Sequence, residues 1–261
     1  MTPMNKKFLI LFNSLRFRSF SFLSYVFFKK RRIRIKKEAT QYFYNLPAIN
    51  FDDWAESLDK KLFLEMKKFQ ITFQDYEKLF DFSPLGGARG LDQFGALYFF
   101  TRVVKPKLIL ETGVANGYSS FSFLSAMNMN KFGKLVSNDL PPLDIKKEKW
   151  KFIGQMVPNE FQENWTLHLG SDRNNLKKIC KKNNFELAHF DSDKTTSGKM
   201  FCINTLLKHN EINPIILIDN CADDFFWKSL NVRNYHKLIF EQSNKRFGAL
   251  IHSNSISEYY L

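Results

Sequence analysis

From residue 107 onward, short apolar runs alternate with longer mixed segments. The runs are KLILET (107–112), KLVSND (134–139), TLHLG (166–170), ELAHFD (186–191) and PIILID (214–219), then KLIF (237–240) and FGALIHS (247–253). Each is bounded and too short for a stable helix, so each predicts a strand. The first five are separated by segments long enough for crossover helices, the pattern of a parallel sheet covered on both faces. Only EQSNKR separates the last two, a gap that suits a hairpin. The expectation is an α/β fold with a seven-stranded, mostly parallel sheet and one antiparallel strand near the C-terminus.

Upstream the period changes. In FDDWAESLDKKLFLEMKKFQITFQDYEKLFDF (51–82), Trp54, Leu58, Leu62, Met66 and Phe69 recur at helical spacing with charges between them. This predicts one or two helices with Asp52 or Asp53 near the N-cap. SPLGGARG (83–90) reads as a loop, and LDQFGALYFFTRVV (91–104) as a short amphipathic helix ending before Pro106. The chain divides into a basic, Phe-rich tail (1–45), a helical extension (46–90) and the sheet-bearing domain (91–261).

Charge changes the picture only for the tail. Of the formal net charge of +13, residues 1–40 carry +10, with eleven Lys or Arg against Glu38 alone. The remaining +3 gives the body no need of a nucleic-acid partner. Asn13, Arg16 and Arg18 interrupt the single window long enough to span a bilayer, and FLILF is too short for a secretory signal. The tail therefore reads as a bilayer-surface segment or a disordered arm. A bacterial, cytoplasmic protein is expected, with peripheral contact at the inner face of the membrane. Cys180, Cys202 and Cys221 lack CxxC spacing and read as packed thiols in a reducing compartment.

The turn LILETGVANGYSS (108–120) follows the first predicted strand. It lacks the third glycine of a dinucleotide fingerprint and the Lys-Ser/Thr of a phosphate loop. It presents Glu-x-Gly-x-x-x-Gly instead. Gly113 and Gly117 allow tight turning and close ligand approach. Asn116, Tyr118, Ser119 and Ser120 stand at the start of a helix, whose N–H groups favour a carboxylate. Glu111 would repel phosphate but suits a cationic centre. Asp139 ends the second strand, where it can accept ribose hydroxyls, and Ser171 and Asp172 end the third, near an adenine edge.

These motifs, in this order, resemble the class I S-adenosylmethionine-dependent methyltransferases, over roughly residues 85–255. AHFDSDKTTSGK (188–199) and PIILIDNCADDFF (214–226) resemble a bacterial DSDK group related to the metal-dependent catechol and caffeoyl-CoA type O-methyltransferases. The resemblance implies a Rossmann-like fold and S-adenosylmethionine as cofactor. It places the donor on Glu111, Gly113, Asn116, Gly117, Tyr118, Ser119, Asp139, Ser171 and Asp172.

Asp191 and Asp219 end adjacent strands, so their carboxylates can converge. With the Asn220 amide oxygen they form an oxygen set suited to Mg²⁺ or another hard divalent cation. The resemblance makes Asp191, Asp219 and Asn220 metal ligands and Lys194 a catalytic lysine, with Asp191 also catalytic. Lys194 would act as a base if burial and the metal depressed its pKa. Two departures are present. KHNEINPIIL replaces a Pro-Gly-Gly-type turn, and Asp219-Asn220 stands where two acidic residues are usual. His168, His189 and His252 read as packed or hydrogen-bonded.

The expected function is methyl transfer from S-adenosylmethionine to a hydroxyl of a small molecule, sugar or glycoconjugate (EC 2.1.1). Two alternatives stand: transfer to nitrogen on the same fold, or a non-catalytic cofactor-binding or interaction protein. The acceptor and the oligomeric state are left open by the sequence.

Overall fold

The structure is a computed structural model, which describes residues 31–85, 93–141 and 146–259. A helix occupies residues 31–44 (α1). It is followed by β1 (Ile49–Asn50), α2 (Phe51–Leu58), α3 (Lys60–Glu77) and α4 (Phe94–Val104). The alternating part runs β2 (Leu108–Thr112), α5 (Tyr118–Asn130), β3 (Lys134–Asp139), β4 (Trp165–Leu169), α6 (Asp172–Cys180), β5 (Leu187–Phe190), α7 (Thr196–His209) and β6 (Ile215–Ile218). A short α8 (Phe226–Ser229) then leads into β7 (Tyr235–Gln242) and β8 (Lys245–His252).

The strands form one sheet in the order β1-β7-β8-β6-β5-β2-β3-β4. Only β8 runs against its neighbours, pairing antiparallel with both β6 and β7. The expected mostly parallel α/β sheet is thus present, with the two-residue β1 as an eighth strand on the edge beside β7.

Strand alternation sends successive side chains to opposite faces. Ile109, Leu187 and Leu217 join Phe51, Trp54, Phe99, Phe100 and Phe123 on one face, under α2, α4 and α5. Leu110, Ala188, Ile216 and Ile218 join Phe43, Leu176, Ile203 and Phe226 on the other, under α1, α6, α7 and α8. From β2 the chain moves through β3 to the β4 edge, then returns to β5 on the other side of β2. The connection therefore reverses between β2 and β5, and the strand ends there open a crevice.

Asp52 and Asp53 stand in the first turn of α2, next to the N-cap as expected; the cap itself is Asn50, whose side chain accepts from the Asp53 N–H. Other expectations change. Asp59 caps α3 by accepting from the Leu62 N–H at 2.9 Å. Residues Phe94 through Thr101 of α4 are all buried, so this helix is enclosed and not amphipathic. The β3–β4 crossover contains 3₁₀ turns at Lys147–Phe152 and Asn159–Asn164 in place of an α-helix. The last hairpin is tighter than six residues. Its strands run on to a two-residue turn at Ser243–Asn244, both left-handed (φ 51 and 65), as a type I′ connection requires.

The reading of residues 1–45 as a separate tail also changes. Residues 31–44 are helical, Ala39 and Phe43 are buried, and Phe43 meets Trp227 edge-on at 5.9 Å. Arg246 donates to the Tyr44 and Leu46 carbonyls at 2.7 and 2.9 Å, tying the end of α1 to β8. Much of SPLGGARG and the tail window before residue 31 lie outside the described residues.

Candidate active site

The turn after β2 is built by local backbone geometry. Gly113 (φ 85), Ala115 (φ 45) and Gly117 (φ 93) adopt left-handed conformations in quick succession. A Cβ on Gly113 would stand 2.6 Å from the Asp191 carbonyl oxygen, and one on Gly117 would stand 2.9 Å from the Gly154 Cα. Both positions therefore require glycine, one against the end of β5 and the other against the β3–β4 crossover. Asn116 is fully buried and accepts from Gln155 Nε2 at 2.8 Å, fixing the turn to the same crossover.

The crevice at the strand ends encloses a cavity of about 490 Å³, within the ordinary range for a small-molecule site. Its wall includes Gly113, Asn116, Tyr118, Ser119 and Asp139 from the first constellation, and Asp191, Lys194, Asp219 and Asn220 from the second. A neighbouring cavity of about 350 Å³ shares Asp139 and Ser192 with it and is lined by Ser171, Asp172, Arg173 and Phe201. The two groups of residues thus meet around adjoining cavities.

Glu111 and Gly117 do not reach either wall. Glu111 is fully buried beneath the turn, where one carboxylate oxygen accepts from Ser120 Oγ at 2.7 Å and Ser137 Oγ at 2.6 Å. Its Oε1 has no hydrogen-bond partner of regular geometry. Burial pushes its pKa up to about 7, against the opposing pull of the Ser119, Ser137 and Ser120 hydroxyls. Glu111 thus braces α5 against β3 from below the turn.

Asp139 accepts from the Ala115 N–H at 2.8 Å, and burial raises its pKa above the usual carboxylate range. Asp172 is engaged by Asn138 Nδ2 at 2.8 Å and by Ser192 Oγ at 2.5 Å, locking β3, α6 and the DSDK segment together.

In the second constellation, Asp191 accepts from Asn220 Nδ2. Its pKa is raised first by burial and then by the neighbouring Asp219. Asp219 is buried, and its Oδ1 accepts from the Asn220 backbone N–H at 2.7 Å and from Gln93 Nε2 at 3.4 Å. Its Oδ2 faces Lys245 Nζ at 3.3 Å. Asn220 is left-handed (φ 55), and its carbonyl is held by the buried Lys199 ammonium at 2.7 Å. Lys194 lines the cavity but is exposed, so the burial on which its role as a base depended is absent.

Residues 110–221 match the family described as a methyltransferase domain. Solved structures agree on the fold. A methyltransferase of Podospora anserina bound to S-adenosylhomocysteine is 19% identical, with a TM-score of 0.50 over 85% of this chain and 95% of that one. An O-methyltransferase of Bacillus cereus, also in complex with S-adenosylhomocysteine, is 13% identical, with a TM-score of 0.50 over 77% of this chain and 96% of the other. The cofactor-bound Rv0187 of MTB is 11% identical, with a TM-score of 0.51 over 64% and 82%. Among curated proteins, none matches the sequence.

The cavity is also lined by residues that the sequence did not single out. Gln93, Phe94 and Leu97 close the cavity from the start of α4, His189 from inside β5, and Lys245 from β8. For His189 a signal was available, because alternation places it on the same side of β5 as Asp191. Its imidazole is buried with an unpartnered Nδ1, and burial holds its pKa well below the ordinary value. Lys245 had no such signal, because its position depends on how the final hairpin returns beside β6. The three cysteines are buried as expected, and burial raises each thiol's pKa.

Proposed function

We propose that the protein transfers the methyl group of S-adenosylmethionine to a hydroxyl of a small molecule, sugar or glycoconjugate. The observation that carries this reading is the convergence of Gly113, Ser119 and Asp139 with Asp191 and Asp219 on one cavity at the β2–β5 crevice. The cofactor's carboxylate would face Ser119 and the first turn of α5, and its sulfonium the Gly113 backbone. Its ribose would lie on Asp139, with adenine toward Ser171 and Asp172. The acceptor would enter beside Asp191, Asp219 and Lys245.

In the reaction the acceptor oxygen forms a bond to the methyl carbon as the carbon–sulfur bond breaks. The sulfonium becomes a neutral thioether, and the hydroxyl proton must leave. Asp191 is the residue best placed to take it, because its raised pKa makes its carboxylate a stronger base than an exposed Asp. Asp191→Asn should lower turnover by ~10²-fold or more and abolish the low-pH limb of the rate profile. An unchanged profile would remove Asp191 from this role.

A divalent cation on Asp191, Asp219 and Asn220 is the further element implied by the resemblance, and the residues present do not fit it. Asn220 turns its amide nitrogen toward Asp191, and both Asp219 oxygens already face N–H donors.

We also place the acceptor near a membrane surface. Arg31, Arg32, Arg34 and Lys37 are exposed on α1, and no helix among the described residues is long and apolar enough to cross a bilayer. Nucleic acid is not part of this reading. Supplying methyl-labelled S-adenosylmethionine and a cell-envelope extract tests it. Label should enter base-stable ethers, and label confined to amines would contradict it.

A further inference from the structure

The two carboxylates of the site meet a positive charge from an unexpected direction. Lys245 is the first residue of β8, fixed immediately after the Ser243–Asn244 turn. Alternation turns Lys245 toward the cavity and Arg246 away from it, where the guanidinium holds the carbonyls at the end of α1. Both sides of Lys245 are therefore anchored: the hairpin pairs Lys245 with Gln242, and Arg246 locks the next residue. Gln242 is buried and donates to Asp52 at 2.9 Å, which fixes the turn to α2. The ammonium lies 3.3 Å from Asp219 Oδ2, on a side chain that is one-third exposed.

The pair nearest the acceptor end is already matched by an ammonium: Asp219 Oδ2 faces Lys245 Nζ at 3.3 Å, and Asp191 accepts from the Asn220 amide. A divalent ion would have to displace the Lys245 ammonium from Asp219 and rotate the Asn220 amide away from its present bond to Asp191. It would also stand close to the Lys245 ammonium, a like charge at short range. An ammonium has three donors, so Lys245 can hold Asp219 and still offer an N–H to an oxygen in the cavity.

Resting on the methyl-transfer reading above, we propose that Lys245 is the resident cation of this site. It takes the place beside Asp219 that a divalent ion would hold, and donates a hydrogen bond that positions the acceptor oxygen. Transfer then requires no metal.

The test uses Mn²⁺ as probe, with the full chain in the presence of S-adenosylhomocysteine. The free-ion electron paramagnetic resonance signal reports binding. Wild type and Lys245→Arg should leave the signal unchanged. Lys245→Met should bind Mn²⁺ at least about tenfold more tightly than wild type, since a like charge at close range is removed. Adding Asp219→Asn should abolish that gain. Lys245→Gln, which keeps a polar side chain, serves the same purpose if Lys245→Met fails to fold. Stoichiometric Mn²⁺ binding by wild type that Asp219→Asn eliminates would overturn the proposal. So would the absence of any gain in the folded Lys245 variant. Calorimetry with S-adenosylhomocysteine on the same samples keeps the two ideas apart: no cofactor heat refutes methyl transfer, whereas Mn²⁺ binding judges Lys245 alone.

Discussion

Glu111 illustrates how much a single residue's role depends on depth. The sequence marks it as an acid at a strand end beside two glycines, and that much is correct. Its depth below the cavity floor follows from the pairing of β2 between β3 and β5, which no local pattern records. Its pKa of about 7 stands above the ordinary 4.5, so the folded protein keeps a proton that the unfolded chain loses between these values. The contribution of Glu111 to stability is therefore full below about pH 4.5 and is lost as pH rises through about 7. The difference corresponds to roughly 3 kcal/mol. Glu111→Gln should flatten this part of the pH dependence, leaving the variant less sensitive than wild type between about pH 5 and about pH 8 in denaturant melts. Equal slopes for both proteins would show that the carboxyl is not held neutral by burial.

At the scale of elements, the βα turn was the most legible feature, because glycine spacing reports backbone geometry directly. Gly113 and Gly117 do occupy left-handed positions packed against backbone. Gly113→Ala should cost roughly 2–4 kcal/mol through φ strain and overpacking against Asp191. The same change should weaken S-adenosylhomocysteine binding, because the turn and the end of β5 would have to part. Unaltered stability in thermal melts would contradict the close approach. Less was legible where an element's environment is set from outside. The apolar positions of α4 suggested one buried stripe, yet α2, α3, α5 and the sheet enclose it on all sides. The final hairpin was read as six loop residues because Lys245 and Arg246 are polar. They belong to the strand, one facing the cavity and the other the α1 terminus.

For the whole molecule, the main revision is that the N-terminal segments share the cores of the sheet domain. Phe51 packs against Phe240 and Phe247 of the final hairpin, and Trp54 packs against Phe240. The Trp54 indole N–H also donates to the Tyr259 carbonyl at 2.9 Å, a buried bond that joins α2 to the C-terminal segment. The basic character of residues 1–45 drew attention to the surface and hid Phe43, which is buried against Trp227. Phe43→Ala should cost about 3–5 kcal/mol in a denaturant melt, as for a core aromatic, whereas a residue in a free tail would cost nothing measurable.

The central claim is that the crevice between β2 and β5 holds S-adenosylmethionine. Isothermal titration calorimetry with S-adenosylhomocysteine tests it most directly. The account predicts saturable binding of one molecule per chain, weakened by Asp139→Ala and abolished by Gly113→Arg, whose side chain would collide with the Asp191 backbone and force the turn away from β5. Absence of binding by either S-adenosylhomocysteine or S-adenosylmethionine to the folded wild-type protein would contradict it.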